Sequence, residues 1–207
     1  GLYALFLLCY AYPTLHRKHF YIGVSAVLVF VSAATYYTEW SQRVRPSIVC
    51  YNLNKVPAVH FITSPEESYL WSSSPERADS ALSMVRDGYW RKCNISSPVW
   101  ISEQDSLCGE VMKYSDVFSF RGKRLAVVDA PLSAIPPSKP LPVDILLLCR
   151  GYKGELAPLL GFYAPSLVVL DGSLTSYYRR KYKQYLQKGG FPTYDARVNG
   201  AYIRVME

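Results

Sequence analysis

Histidine is almost absent from this chain. Three occur in 207 residues, and only His60 lies beyond residue 45. A binuclear metallohydrolase needs several imidazoles with carboxylates to hold two metals and an activated water, so composition alone speaks against that chemistry. Cysteine is sparse as well. Cys9, Cys50, Cys93, Cys108 and Cys149 contain no C-x-x-C pair, which argues against a zinc knuckle or a redox dithiol. Cys93 and Cys108 could pair in an oxidising compartment, and buried free thiols are the expectation for most of the five.

Charge is missing from residues 20–37, a run of 18. That is close to the length a helix needs to cross ~30 Å of hydrocarbon. Tyr36, Tyr37 and Trp40 at its end suit a membrane–water interface. A transmembrane helix is therefore expected over residues 19–40, with a signal peptide or a buried core helix as the alternatives. Residues 1–13 form a second apolar run that Pro13 ends, expected to be the tail of a truncated transmembrane helix. The chain then reads as the C-terminal piece of a larger membrane protein.

What is present beyond the apolar runs is one domain. Residues 46–207 carry 19 Lys/Arg and 15 Asp/Glu, a net +4, too mild a charge for a dedicated nucleic-acid binder. Residues 47–53 and 58–63 read as paired strands, followed by a short strand at 69–71. Ser74-Pro75-Glu76 is a helix start signal. Ala78, Leu82, Val85 and Tyr89 then share one helical face. Residues 99–101, 117–120 and 125–128 are strand-like, with a tight hairpin at Arg121-Gly122-Lys123. Five prolines in residues 131–142 predict a loop without paired strand. The pattern beyond alternates: strand 143–148, helix near 154–162, strand 167–170, helix from about 175 to 187 ended by Gly189-Gly190, then strands at Tyr194 and 201–205. Antiparallel strands first and α/β alternation later predict an α/β sandwich of mixed sheets with helices outside.

Strand 143–148 runs into Cys149-Arg150-Gly151-Tyr152-Lys153-Gly154-Glu155-Leu156. This resembles the metal-binding corner of metallo-β-lactamase-type domains, where an apolar strand leads through Thr/Ser into H-x-H-x-D-H. Arg150, Tyr152, Gly154 and Glu155 stand at the four ligand places. An arginine there sets a permanent positive charge where a dication would sit.

The whole of residues 47–207 resembles the C-terminal domain of ComEC-type DNA-uptake channels. The residues 50–58, CYNLNKVPA, match the place of that family's F-L-D-V-G-Q-G-D-A, with Asn52 for the first Asp and Asn54 and Val56 for glycines. Leu70-Trp71-Ser72-Ser73 stands for L-I-D-x-G, and Val168 to Ser173 for the next strand and turn. Tyr177-Tyr178-Arg179-Arg180 lies where N-x-Y-G-H-P would be, and Gly200-Ala201-Tyr202-Ile203 resembles the terminal G-A-I. The resemblance implies a degenerate metallo-β-lactamase-like αββα sandwich preceded by a transmembrane helix, of the ligand-free kind associated with Bacteroidetes-like members. It implies no metal and no cofactor, and a domain on the outer side of an inner, multi-pass membrane protein. Charge settles the orientation poorly: Arg17 and Lys18 precede the run, and Arg43 and Arg45 follow it.

Among single residues, His60 reads as a strand residue with a local hydrogen bond. Asp171-Gly172-Ser173 ends a strand, where α/β sheets bind ligands. Its plain reading is a cap and turn, and Ser173 has no base placed beside it. Residues 177–188 hold five cations, no acids and four tyrosines. Arg179, Arg180 and Lys183 are thus candidates for nucleic-acid contact, though Tyr178, Tyr182, Tyr185 and Leu186 form a stripe suited to the core. Three functions follow. The first is a metal-free accessory domain that guides single-stranded DNA or docks partners, joined to channel domains upstream of Gly1. The second is a magnesium-dependent nuclease or phosphodiesterase using Asp129, Asp171 and Glu155. The third is a membrane-anchored interaction module without a DNA role.

Overall fold

The computed structural model describes residues 17–41, 45–102, 104, 106–131 and 137–206. The expected helix tail at residues 1–13, together with Cys9, lies outside them. Two compact units result, Gly1–Arg43 and Val44–Glu207.

The first unit contains α1 (Arg17–Ser41). Its described side chains are largely apolar and solvent-facing, with Ile22, Leu28, Val29 and Phe30 all exposed. Among the described residues no helix is long and apolar enough to cross a membrane. The expectation for residues 19–40 is thus met as a helix, and a span is not shown.

The second unit is α/β with two mixed sheets. The first sheet has the order β12-β1-β2-β3-β4, where β1 is Ser47–Cys50, β2 Ala58–Ile62, β3 Ser68–Ser72, β4 Val99–Trp100 and β12 Tyr202–Val205. The second has the order β11-β10-β9-β8-β7-β6-β5. Its antiparallel half is β5 (Ser106–Cys108), β6 (Val111–Tyr114), β7 (Val117–Phe120) and β8 (Lys123–Val128). Its parallel half continues from β8 into β9 (Leu141–Leu148), β10 (Tyr163–Leu170) and β11 (Thr193–Asp195). The β7–β8 hairpin closes on Arg121 and Gly122, both with positive φ (47° and 74°), the pair of left-handed residues a type I′ turn requires.

Alternation along the strands assigns side chains to three cores. Ile48, Phe61 and Trp71 of the first sheet meet Phe118, Leu125 and Leu147 of the second, with ring centroids 5.4 Å apart for Phe61–Phe118 and for Trp71–Phe118. The outer face of the second sheet packs under α4 (Leu156–Phe162) and α5 (Ser176–Lys188) through Leu146, Leu170, Leu159, Tyr182 and Leu186. The outer face of the first sheet lies under α2 (Pro75–Ala81), α3 (Ser83–Val85) and a π-helical turn at Arg86–Trp90.

Three details depart from the expectations. The proline segment does supply paired strand: Leu141 and Pro142 open β9, with Pro142 opposite Ala164. At a strand's beginning a missing N–H is tolerated, and the Pro142 carbonyl accepts from Arg124 Nη1 at 3.2 Å. In the first helical segment, Ala78 and Leu82 are buried as expected, but Trp90 (3% exposed) fills the inner place expected of Tyr89. A π turn adds one residue, so the next inward side chain falls one position later. Strands β5 and β6 have no counterpart among the expected ones. Cys93 and Cys108 are free thiols, as are Cys50 and Cys149.

A candidate cationic cleft at the strand ends

The parallel strands set the site. Val128 is in register with Leu148, Leu148 with Leu170, and Leu170 with Asp195. Their carboxyl ends therefore finish together, delivering Asp129, the Cys149–Arg150 corner and Asp171 to one edge. The first sheet contributes its β1–β2 loop and the turn from β3 into α2. Between them lies a cleft of about 1000 Å³, lined by Asn54, Lys55, Arg77, Arg150 and Lys153 among others, with Glu76 and Asp129 as its carboxylates. All four cations are exposed. Lys55 reaches it from a left-handed backbone (φ 75°), an arrangement that costs about 1–2 kcal/mol for a residue with a Cβ.

The ligand-like loop is remodelled rather than merely substituted. Arg150 lines the cleft, and its backbone N–H donates to Ser173 Oγ at 3.2 Å. Tyr152 turns away into the core, 3% exposed, with its ring 5.9 Å from that of Tyr182. Its hydroxyl donates to the Glu155 carbonyl, and Tyr182 Oη donates to the Gly154 carbonyl at 3.0 Å. Glu155 precedes α4 and faces Lys181 at 4.0 Å, away from the cleft lining. Gly151 passes so close to the end of β8 that a Cβ would lie 1.3 Å from the Asp129 carbonyl oxygen.

Asp171 sits behind this corner, fully buried. Ser173 N–H donates to its Oδ2 at 2.9 Å, the turn expected of Asp171-Gly172-Ser173. Oδ1 has no partner among the described residues. Burial raises its pKa from 3.8 to about 6, against the lowering effect of the Ser173 and Gly172 hydrogen bonds. Burial first, then the Asp171 charge, pushes the Cys50 and Cys149 thiols far up, so neither is a nucleophile at neutral pH.

His60 is buried elsewhere, on the helix-covered side of the first sheet. Trp90 Nε1 donates to Tyr51 Oη at 2.7 Å, and Tyr51 Oη lies 2.7 Å from His60 Nδ1. Indole only donates, so the tyrosine hydroxyl accepts from it and donates onward to Nδ1. The neutral imidazole then carries its proton on Nε2, which has no partner among the described residues. Burial lowers the His60 pKa from 6.5 to about 3.

The donor set does not fit a zinc centre. The first ligand place is a guanidinium, the second is in the core, and the single imidazole of residues 46–207 faces another layer. Among the described residues no three His, Cys, Asp or Glu side chains are grouped to hold a metal ion. The oxygen set considered for magnesium is also dispersed: Asp129 lines the cleft, Asp171 is enclosed behind it and Glu155 stands beside Lys181.

On α5 the tyrosine stripe is only partly internal. Tyr182 and Leu186 are buried, Tyr178 is half-buried and Tyr185 is exposed. Two of the three candidate cations flank a nearly buried carboxylate, Asp195, with Arg179 at 3.7 Å and Lys183 at 3.5 Å. Asp195 also accepts from Arg197 N–H at 3.2 Å, capping the short helix α6 (Ala196–Asn199). Arg180 is exposed beside them. Sequence reasoning thus named Arg150 but missed Lys55, Arg77 and Lys153. Lys153 lay within the loop already singled out. Lys55 and Arg77 lacked any local signal, because only the sheet topology brings them to Arg150.

Two mixed sheets with helices outside define an α/β domain, with a basic cleft at the carboxyl ends of its parallel strands. A family model described as the ComEC C-terminal domain matches residues 48–206. The chain belongs to that family, which ties it to competence and DNA uptake and whose members are membrane-associated. No curated protein and no solved structure matches it.

Proposed function

We propose that residues 46–207 are a metal-free, non-catalytic relative of metallo-β-lactamase-like domains that guides DNA to an inner-membrane uptake channel. The observation that carries this reading is the cleft lined by Lys55, Arg77, Arg150 and Lys153. Four exposed cations against two carboxylates attract a phosphate backbone and release its counterions. Arg150 serves that purpose while opposing a bound dication. The strained backbone under Lys55 supports a role at the cleft, since such strain is kept mainly where function holds it. The cleft, more than α5, is the expected DNA surface, because Arg179 and Lys183 are engaged with Asp195.

Replacing all four cleft cations with Ala in the full chain is expected to lower single-stranded DNA affinity at least tenfold at low salt. It should also flatten the salt dependence by about 0.7 in log–log slope for each phosphate no longer neutralised. The Arg179→Ala/Arg180→Ala/Lys183→Ala variant should move both far less. An unchanged affinity and slope in the cleft variant would remove the proposal.

In the same proposal α1 is a membrane helix, the channel lies upstream, and the domain is extracytoplasmic. A helix on which apolar side chains such as Ile22, Leu28, Val29 and Phe30 face outward suits lipid better than water. A reporter enzyme fused after Glu207 should be active only in its exported form. Activity confined to the cytoplasmic form would reverse the orientation.

A further inference from the structure

A second pocket opens beside the cleft and shares Ser73 and Asp129 with it. Its volume is about 270 Å³. That is just under the ~300 Å³ at which pockets for whole drug-sized ligands begin, so it suits a single ring system. Its floor is apolar and aromatic, made by Trp71, Phe118 and Val127. Its walls are Lys113, Ser115 and Asp116, with Asp129 at the junction.

The lining discriminates among ligands. A phosphate is disfavoured inside, because Asp116 and Asp129 outnumber Lys113. The two carboxylates also feel each other: burial first, and then the Asp129 charge, raise the Asp116 pKa. A purely apolar ligand is disfavoured as well, since the Asp116 and Asp129 carboxylates would face it. A flat ring with hydrogen-bonding edges satisfies both conditions. Carboxylates accept hydrogen bonds, so a ring that carries an amino group is preferred over one that offers only carbonyls there. Lys113 is held over the Phe118 ring at 6.0 Å, 7% exposed, and its charge acts on Asp116. The phosphates attached to such a ring would extend past Ser73 into the cationic cleft.

We propose that this pocket is a subsite for one unpaired, amino-bearing nucleobase of a strand whose phosphates the cleft holds. The inference rests on the cleft reading and adds what that reading lacks, a means of preferring an open strand to a duplex. In a duplex the base edges are paired and stacked, and cannot enter a pocket without being flipped.

The test uses the full chain in detergent and three single strands of equal length: oligo(dC), oligo(dT) and an abasic strand. Their phosphates are the same, so only the bases differ. Oligo(dC) is expected to bind about tenfold tighter than oligo(dT), in the range that a base contact supplies, and tighter still than the abasic strand. Asp116→Asn should bring oligo(dC) and oligo(dT) together while leaving the salt slope of abasic binding unchanged. Salt-dependent binding that is equal for all three strands would overturn the base subsite and leave the cleft reading standing. Absence of binding to any of them would overturn both. A preference for oligo(dC) that survives Asp116→Asn would place the base elsewhere and overturn the assignment to this pocket.

Discussion

Gly151→Ala is expected to abolish or nearly abolish folding of the second unit. The added Cβ would lie 1.3 Å from the Asp129 carbonyl oxygen and 2.5 Å from its carbon. Both are backbone atoms of the chain leaving β8, and neither can rotate aside. Relief requires the β8 and β9 ends to separate, yet these strands are locked in parallel register from Leu125–Ile145 to Val128–Leu148 over fully buried side chains. Separation would also pull the Cys149 N–H from the Val128 carbonyl, 2.9 Å away. A destabilisation above about 4 kcal/mol is expected, a large fraction of the roughly 5–15 kcal/mol that holds a domain together. Urea unfolding of the purified chain followed by tryptophan fluorescence measures it. A change under about 1 kcal/mol would mean that the β8–β9 edge yields far more easily than this packing implies.

Stability between about pH 4 and pH 6 is expected to hide two opposed titrations, one at His60 and one at Asp171. His60 has a folded pKa near 3 against an unfolded 6.5. In that window the unfolded chain binds its proton and the fold does not, so this group makes stability fall as pH falls. Asp171 has a folded pKa near 6 against 3.8. There the fold holds a proton that the unfolded chain has lost, so this group makes stability fall as pH rises towards 6. Each slope approaches about 1.4 kcal/mol per pH unit, and in the wild type the two nearly cancel. His60→Gln should leave a chain whose stability rises as pH is lowered from about 6 to about 4. Asp171→Asn should leave one whose stability falls over the same range. Denaturant midpoints across that interval decide the matter, and parallel curves for the two variants would show that neither group titrates as described.

Much of this architecture was legible in the chain. The run from Val143 to Leu148 reads as a fully buried strand, and it lies within β9, inside the second sheet. Pro75 and Glu76 after Ser74 marked a helix start correctly, although Ser74 makes no side-chain cap; Ser72 Oγ accepts the Ser74 N–H instead. The Arg121-Gly122 turn was readable through Gly122, which adopts a positive φ freely, whereas Arg121 does so at a cost. The β5–β6 hairpin was not, because its inward positions are Val111 and Lys113, and an internal lysine breaks the alternation that marks a strand. The π turn left no trace in the pattern until it displaced Trp90. The candidate site divides in the same way. Arg150 stood out because a ligand loop reads oddly with a guanidinium at its head. Lys55 and Arg77 could be found only once the two sheets were placed face to face.

The β12–β1 pairing bears on how such a chain comes off the ribosome. Ser47 lies opposite Val205, and Met206 N–H donates to the Pro46 carbonyl at 2.8 Å. The strand made first in the domain therefore receives one of its two neighbours from the stretch made last. Closing so long a loop adds little to the equilibrium cost, because that cost grows only with the logarithm of length. It does delay completion, since distant segments cannot pair until both exist. Until synthesis reaches Tyr202, one edge of β1 stays open, and at about 5–20 residues per second that exposure lasts many seconds. The nascent domain thus has an unpaired strand edge to shield for almost the whole of its own making.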